Sequence, residues 1–273
     1  HRLKHGFSAT LPGTDLNISS SELDDVLSAE VNSILLTPFE EVVAALTQVS
    51  NWCEVMPLHF NIKACTHELQ DDAELLTIYS GRKIYESPDD SYQMTYQFEV
   101  IRRDDSRLSL RLHADDGPMS TSDYLIELNA LAVPEGTLLH IHSSYRPSWL
   151  STMLTGPYLS TVGRNKVGFS QVEQDGESHP VQGIRGIIER NVMRYQLAIN
   201  SFFSSQSQPE NTRHQAMLLS WFKQNDSYPR QLHEMDKSEY LEIKHQEREN
   251  QRRLQRALDE DLQVAAAPFA EDE

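Results

Sequence analysis

The chain has 273 residues, with 24 Lys and Arg against 41 Asp and Glu, a formal net charge of −17 and a pI near 5.0. That balance argues against sequence-independent nucleic-acid binding, which needs a basic face, and against docking on anionic lipid through net charge alone. A hydrophobic content of 38% and a mean hydropathy of −0.53 imply apolar residues concentrated in part of the chain, as one sizeable core with a polar extension.

No apolar run approaches the roughly 20 residues that a membrane span needs. The chain opens on His1 rather than methionine, which fits a removed signal peptide or another processing boundary. A copper brace joining His1 to His67 or His113 would use the same residue, but a boundary alone accounts for it. Cys53 and Cys65 either pair in an oxidising compartment or remain buried thiols. The expected location is periplasmic or secreted, with the cytoplasm as the alternative.

In chain order, residues 1–20 are rich in Ser, Thr, Gly and Asn and read as an N-terminal arm. Ala29 to Leu36 (AEVNSILL) reads as a strand. Thr37-Pro38-Phe39-Glu40 reads as a capping box with proline at the first helical position. The helix it opens buries Phe39, Val42, Val43, Leu46 and Val49 and ends near Asn51. A short turn over Trp52 to Met56 is stopped by Pro57.

The period then changes to two. Asn61–Glu68 and Glu74–Glu86 read as strands around a turn at Gln70-Asp71-Asp72. Met94, Tyr96, Phe98 and Val100 alternate with Gln93, Thr95, Gln97 and Glu99, and Leu108, Leu110 and Leu112 alternate with Ser109, Arg111 and His113. Tyr124–Val133 and Thr137–Tyr145 form a further pair joined by Pro134-Glu135-Gly136. One face of this antiparallel run is apolar and one polar, as in a sheet with one wet side.

Next comes RPSWLSTMLTGPYLSTVG, Arg146 to Gly163, with no charge after its first residue. Gly156-Pro157 prevents one continuous helix, so the stretch reads as a hinged apolar cover or as the plug of a closed core. After a polar loop, Gln171 to Ser178, a helix is expected from Pro180 to about Phe203. Val181, Ile184, Ile188, Tyr195, Ile199 and Phe202 form its stripe, broadened by Ile187 and Met193, with Arg185, Glu189, Arg190 and Arg194 mainly on the remaining surface. Beyond a linker, a helix over Thr212–Lys223 has Met217, Leu218, Trp221 and Phe222 as anchors. The segment from Ser238 to Leu262 is helical by propensity and charge-rich, exposed by default, with only Tyr240, Leu241, Ile243, Leu254, Leu258 and Leu262 to bury.

This order of a strand, a short helical pair, six more strands and one long helix resembles the START-like helix-grip (SRPBCC) superfamily, whose fold is shared with pollen allergens and polyketide cyclases. AEVNSILLTPFEEVVAALTQVSNW and HPVQGIRGIIERNVMRYQLAINSFF carry the resemblance, which covers roughly residues 28–206. It implies an α+β helix-grip fold, a curved antiparallel sheet wrapped around a long C-terminal helix, plus a helical C-terminal extension. The corresponding division is an arm (1–20), a ligand-binding domain (21–206), the extension (207–262) and a disordered acidic tail (263–273). The connection before the long helix is longer than is common in the superfamily. The function implied is carriage or sensing of an apolar small molecule, lipid or sterol-like, in an internal cavity, with transient membrane contact compatible and no nucleic acid. A cyclase-like or hydrolytic enzyme in the same cavity is one alternative, and a protein-interaction module through the C-terminal helices, partner unknown, is another.

The ligand-binding candidates on the strand faces and helix stripe are Tyr96, Phe98, Tyr124, Ile126, Ile141, Tyr145, Ile184, Ile188 and Tyr195, joined by Trp149, Met153 and Leu154 from the apolar stretch. Each would otherwise simply fill core. The tyrosines favour a pocket, because a buried phenol needs a hydrogen-bond partner and a few polar groups orient a ligand in an apolar site. Gly183 and Gly186 either leave room for a ligand or serve close packing. His140 and His142 share one strand face, with His113 or His67 as further metal ligands, but the apolar set alternating with them is expected inside. No nucleophile elbow, H-E-x-x-H or phosphate loop occurs, and Asp104-Asp105 and Asp115-Asp116 read as solvated loop acids. Neither a catalytic set, a metal nor a cofactor is therefore expected, although Tyr96, Arg146 or a histidine would be the acid or base of a cyclase.

Overall fold

The alternating segments pair into one antiparallel sheet. The computed structural model describes residues 9–10, 16–148, 151, 153, 166–174 and 176–266. The sheet contains β1 (Ala9–Thr10), β2 (Asn17–Leu23), β3 (Val26–Leu35), β4 (Ile62–Gln70), β5 (Ala73–Ser80), β6 (Tyr92–Arg103), β7 (Arg107–Asp116), β8 (Ser122–Val133) and β9 (Gly136–Arg146). Its spatial order is β1-β2-β3-β9-β8-β7-β6-β5-β4, so the first strand of the predicted seven lies beside the last. That arrangement, with a long helix across the concave face, is the expected α+β helix-grip layout.

Two strands come from the part of the chain read as an arm. β2 pairs with β3 through Asp24-Asp25, whose φ values of 51° and 60° make the two-residue turn that matches strand twist. Its sequence, NISSSEL, has little strand propensity, and burial of Ile18 and Ser20 beneath the neighbouring helix supplies what propensity lacks. Asp71-Asp72 makes the same kind of turn between β4 and β5, at φ 49° and 64°. β5 stops at Ser80 rather than continuing to Glu86. Val100, expected inside, is 42% exposed, beyond Phe98 where the pairing with β5 ends.

The first helical region is two helices, α1 (Phe39–Leu46) and α2 (Val49–Val55). The expected capping box does not form. Pro38 is the N-cap, its carbonyl accepting from the amides of Glu41 and Val42, while the Thr37 carbonyl takes the Thr137 hydroxyl of β9 at 2.8 Å. The polar loop near residue 171 is a hairpin, β10 (Gln171–Gln174) and β11 (Glu177–Pro180). The long helix α3 therefore starts after Pro180, as Gly183–Ser204, with Gly183 at φ 65°.

α3 lies closest to β2, β3 and β9 with one face and is covered elsewhere by α4 (Glu210–Asp226) and α5 (Pro229–Leu232), while α6 (Lys237–Ala266) packs on β4 and α4. The charges assigned to its surface are consequently inside: Glu189 is 0%, Arg190 3% and Arg194 2% exposed. Glu189 accepts from the Ser20 hydroxyl at 2.6 Å, from the amides of Phe169 and Ser170 at 2.7 and 2.9 Å, and from the Ser170 hydroxyl. Arg194 donates to Glu234 at 2.6 Å and lies over the Phe60 ring. Phe60 in turn meets Trp221 and Tyr240 at centroid distances of 4.9 and 5.4 Å, which gives the C-terminal helices an aromatic core of their own.

α6 is buried along one face despite its polarity, because it covers the open edge of β4. Gln251 accepts from the Cys65 amide and donates to the Cys53 carbonyl; Gln255 bonds both the amide and the carbonyl of His67. Four helical residues advance about 6 Å and two strand residues about 6.6 Å, so the glutamines keep step with alternate β4 residues. Lys244 and Lys63 share Glu247 at 2.7 and 2.9 Å and donate their other hydrogens to backbone carbonyls. The Cys53–Cys65 disulfide ties α2 to β4 beside Gln251.

Glu247→Gln leaves two buried ammonium groups without a counter-charge, and urea unfolding is expected to show a loss of about 3–5 kcal/mol. Gln255→Ala, at the less buried end of the same edge, is expected to cost only about 1 kcal/mol in the same assay.

Candidate functional site

The strand alternation aims β6, β7, β8 and β9 residues at the concave face. Tyr96, Phe98, Ile126 and Ile141 are buried there, and Ile188 of α3 is buried opposite them. Tyr124, Tyr145, Ile184 and Tyr195 are partly buried and pack on the same core. Met153 is instead 57% exposed, and Trp149 and Leu154 lie outside the described residues, as does most of the apolar stretch read as a cover.

Four phenols gather on this face. Tyr124 and Tyr145, from adjacent strands, stack with centroids 5.0 Å apart and planes 7° from parallel. The Tyr124 hydroxyl shares a 2.8 Å hydrogen bond with Thr121. The register shift between Ser122 and Leu125, with Asp123 at φ 55°, lies just where Tyr124 enters the face. Tyr96 and Tyr195 are near enough for their phenols to influence each other and Tyr124 electrostatically. Burial, then the neighbouring phenols, pushes Tyr195 up to about 12 and Tyr96 well above the ordinary tyrosine range. Among the described residues, no hydrogen-bond partner meets the hydroxyls of Tyr96, Tyr145 or Tyr195.

His59 was not singled out by the sequence. Its ring meets that of Tyr195 tilted by 32°, with centroids 5.6 Å apart, and bonds Asn191 at 3.3 Å, and burial together with the charges of Arg194 and Lys244 keeps its imidazole neutral. Nothing in the local sequence marks it, since its burial is produced by α3 and α6 arriving from far along the chain.

The paired glycines resolve towards packing at one position. A Cβ on Gly186 would meet the backbone of Gly168 and Val181 at 3.2 Å, so this glycine lets the 167–170 segment lie directly on α3. Open clefts of about 580 and 640 Å³ lie away from the concave face, one between β10–β11 and the start of α3, the other between Leu36 and the end of α3.

His140 and His142 are on the outer, wet face of the sheet. His140 bonds Glu30 of β3 at 3.1 Å, and His142 lies directly across from Glu30 and from Glu127 of β8. Among the described residues no group of three or more His, Cys, Asp or Glu is placed to hold a metal, and no helix is long and apolar enough to cross a membrane.

No family model and no curated protein matches the chain. Solved structures do. A STAR-related lipid transfer protein from Xanthomonas axonopodis is 14% identical, over 56% of this chain and 93% of its own, with a TM-score of 0.40. Human StAR-related lipid transfer protein 5 is 11% identical over 60% and 82%, at 0.37. CalU16 from Micromonospora echinospora is 12% identical over 77% and 97%, at 0.34.

Two measurements check these placements. Tyr96→Phe is expected to leave urea stability unchanged or raise it by up to about 1 kcal/mol, because its hydroxyl has no partner to lose, whereas Thr121→Val, which strips Tyr124 of its bond, is expected to cost about 1–2 kcal/mol. The hydrogen bond from His140 holds the Glu30 carboxyl down at about 2, against the opposing effect of burial. A depressed acid stabilises the fold above its ordinary value of 4.5, and that contribution is lost as pH falls towards 2. The Tm difference between the parent and Glu30→Gln should therefore shrink over that window.

Proposed function

We propose that the protein binds an apolar small molecule carrying a polar group, lipid- or sterol-like, between the concave sheet face and α3, and carries or senses it. The observation that supports this reading is the gathering of three phenols on the apolar concave side, Tyr96, Tyr145 and Tyr195, whose hydroxyls have no hydrogen-bond partner among the described residues. A ligand's polar group would pair with such a hydroxyl while its apolar body covers Phe98, Ile126, Ile141 and Ile188. The surrounding groups favour binding over chemistry. The phenols are held protonated, and His59 is neutral and engaged with Asn191.

Carriage also fits better than a protein-interaction role for the C-terminal helices. Trp221, Tyr240 and Ile243 are spent on contacts within the chain. The Cys53–Cys65 disulfide supports work in an oxidising compartment, periplasmic or secreted.

Native mass spectrometry of the purified protein, followed by organic extraction, is expected to show a mass adduct that denaturation releases as a lipid-like compound. An adduct-free protein that also fails to bind an apolar fluorescent probe would overturn the proposal.

A further inference from the structure

A second, separate groove of about 630 Å³ runs between α1–α2, the end of α3 and the C-terminal helices α4 and α6. One part of its lining is apolar, formed by Ala44 and Ala45 of α1, Phe202 and Phe203 at the end of α3, and Met217 of α4. The other part is cationic, with Arg213, Arg248 and Arg252 grouped around His214. Behind it lies a small space of about 10 Å³, lined by Glu54, His214 and Arg248, which also line the groove.

Four nitrogens here are buried without a hydrogen-bond partner among the described residues: Nε of Arg213, Nε of Arg248 and both ring nitrogens of His214. Buried polar atoms are normally paired, and three unpaired N–H donors at one place, those of Arg213, Arg248 and the protonated nitrogen of neutral His214, call for a missing acceptor. Glu54 does not fill that role. It takes Nη2 of Arg248 at 2.7 Å but stands 4.0 Å from Nδ1 of His214. Arg252 is turned to Glu249 at 3.1 Å, and Glu41 and Glu210, which also line the groove, are exposed. The field at the inner end is positive. Burial and then the charges of Arg248, His245, Arg252 and Lys244 depress His214 to about 3.

We infer that this groove binds an amphiphile with one anionic head group, carboxylate or phosphate. The head seats against Arg213, His214 and Arg248, and the alkyl part lies along Ala44, Ala45, Phe202, Phe203 and Met217. Guanidinium donors give charge-assisted bonds to either head group, and the apolar wall rejects a purely hydrophilic anion. This site does not rest on the concave-face reading, since it shares none of that face's residues.

Isothermal titration of the full chain with decanoate and with decyl phosphate tests it, with decyltrimethylammonium as the cation of equal length. Saturable one-to-one binding of at least one anion is expected, with a shift of the Met217 methyl signal in NMR and none from the cation. Which of the two anions binds tells carboxylate from phosphate as the preferred head. Removing one charge-assisted contact should weaken binding roughly ten-fold or more in Arg213→Gln and in Arg248→Gln. Arg213→Gln keeps the test sound if Arg248→Gln unfolds, because its one described side-chain bond is a 3.4 Å contact to the Gln208 carbonyl. Unchanged affinity in Arg213→Gln, equal binding of the cation, or loss of binding only in Ile188→Trp, which fills the concave side, would each overturn the assignment.

Discussion

β4 ends the sheet, and its backbone amides and carbonyls on that side must bond to something other than a strand. An unpaired edge invites association with other chains. Here α6 takes the place of the missing strand, with Gln251 and Gln255 pairing the backbone at Cys65 and His67, and Lys244 closing the carbonyls of His59 and Ile62. Side chains at helical spacing read a backbone at strand spacing because the two rises nearly coincide. The position of α6 then governs much else. It brings Tyr240 onto Phe60 and Trp221, and it places Glu247 between two buried lysines.

The same helices explain how a chain of such low mean hydropathy encloses so much interior. α3 is enclosed, so its charged residues had to be paired rather than solvated. Glu189 is met by two hydroxyls and two amides, and Arg194 by Glu234 and an aromatic face. Burying charge in this way contributes little net stability, but breaking any one pair leaves its partner stranded, which gives the arrangement a single well-defined geometry.

The two sides of α3 consequently offer different chemistry. Towards β6, β8 and β9 there are aliphatic side chains and phenols. Towards the C-terminal helices there are arginines, lysines and glutamates at close quarters. An uncharged apolar ligand suits the first environment and an anionic amphiphile the second.

The apolar periodicities determined the strands from β4 to β9, the existence of α1 to α3 and the face each presents, because burial repeats every two or 3.6 residues whatever lies opposite. Tyr96, Phe98, Ile126, Ile141 and Ile188 were legible as interior for that reason. Periodicity could not say that Glu189, Arg190 and Arg194 would be buried, since their hydrogen-bond partners come from residues 20, 167–170 and 234, far away in sequence. It gave β2 no signal, because a serine-rich strand is held by its neighbours rather than by its own propensity. Nor did it distinguish a disulfide from two thiols, or an exposed α6 from an edge cap. Those outcomes depend on which polar groups meet across the fold, and only the tertiary structure decides that.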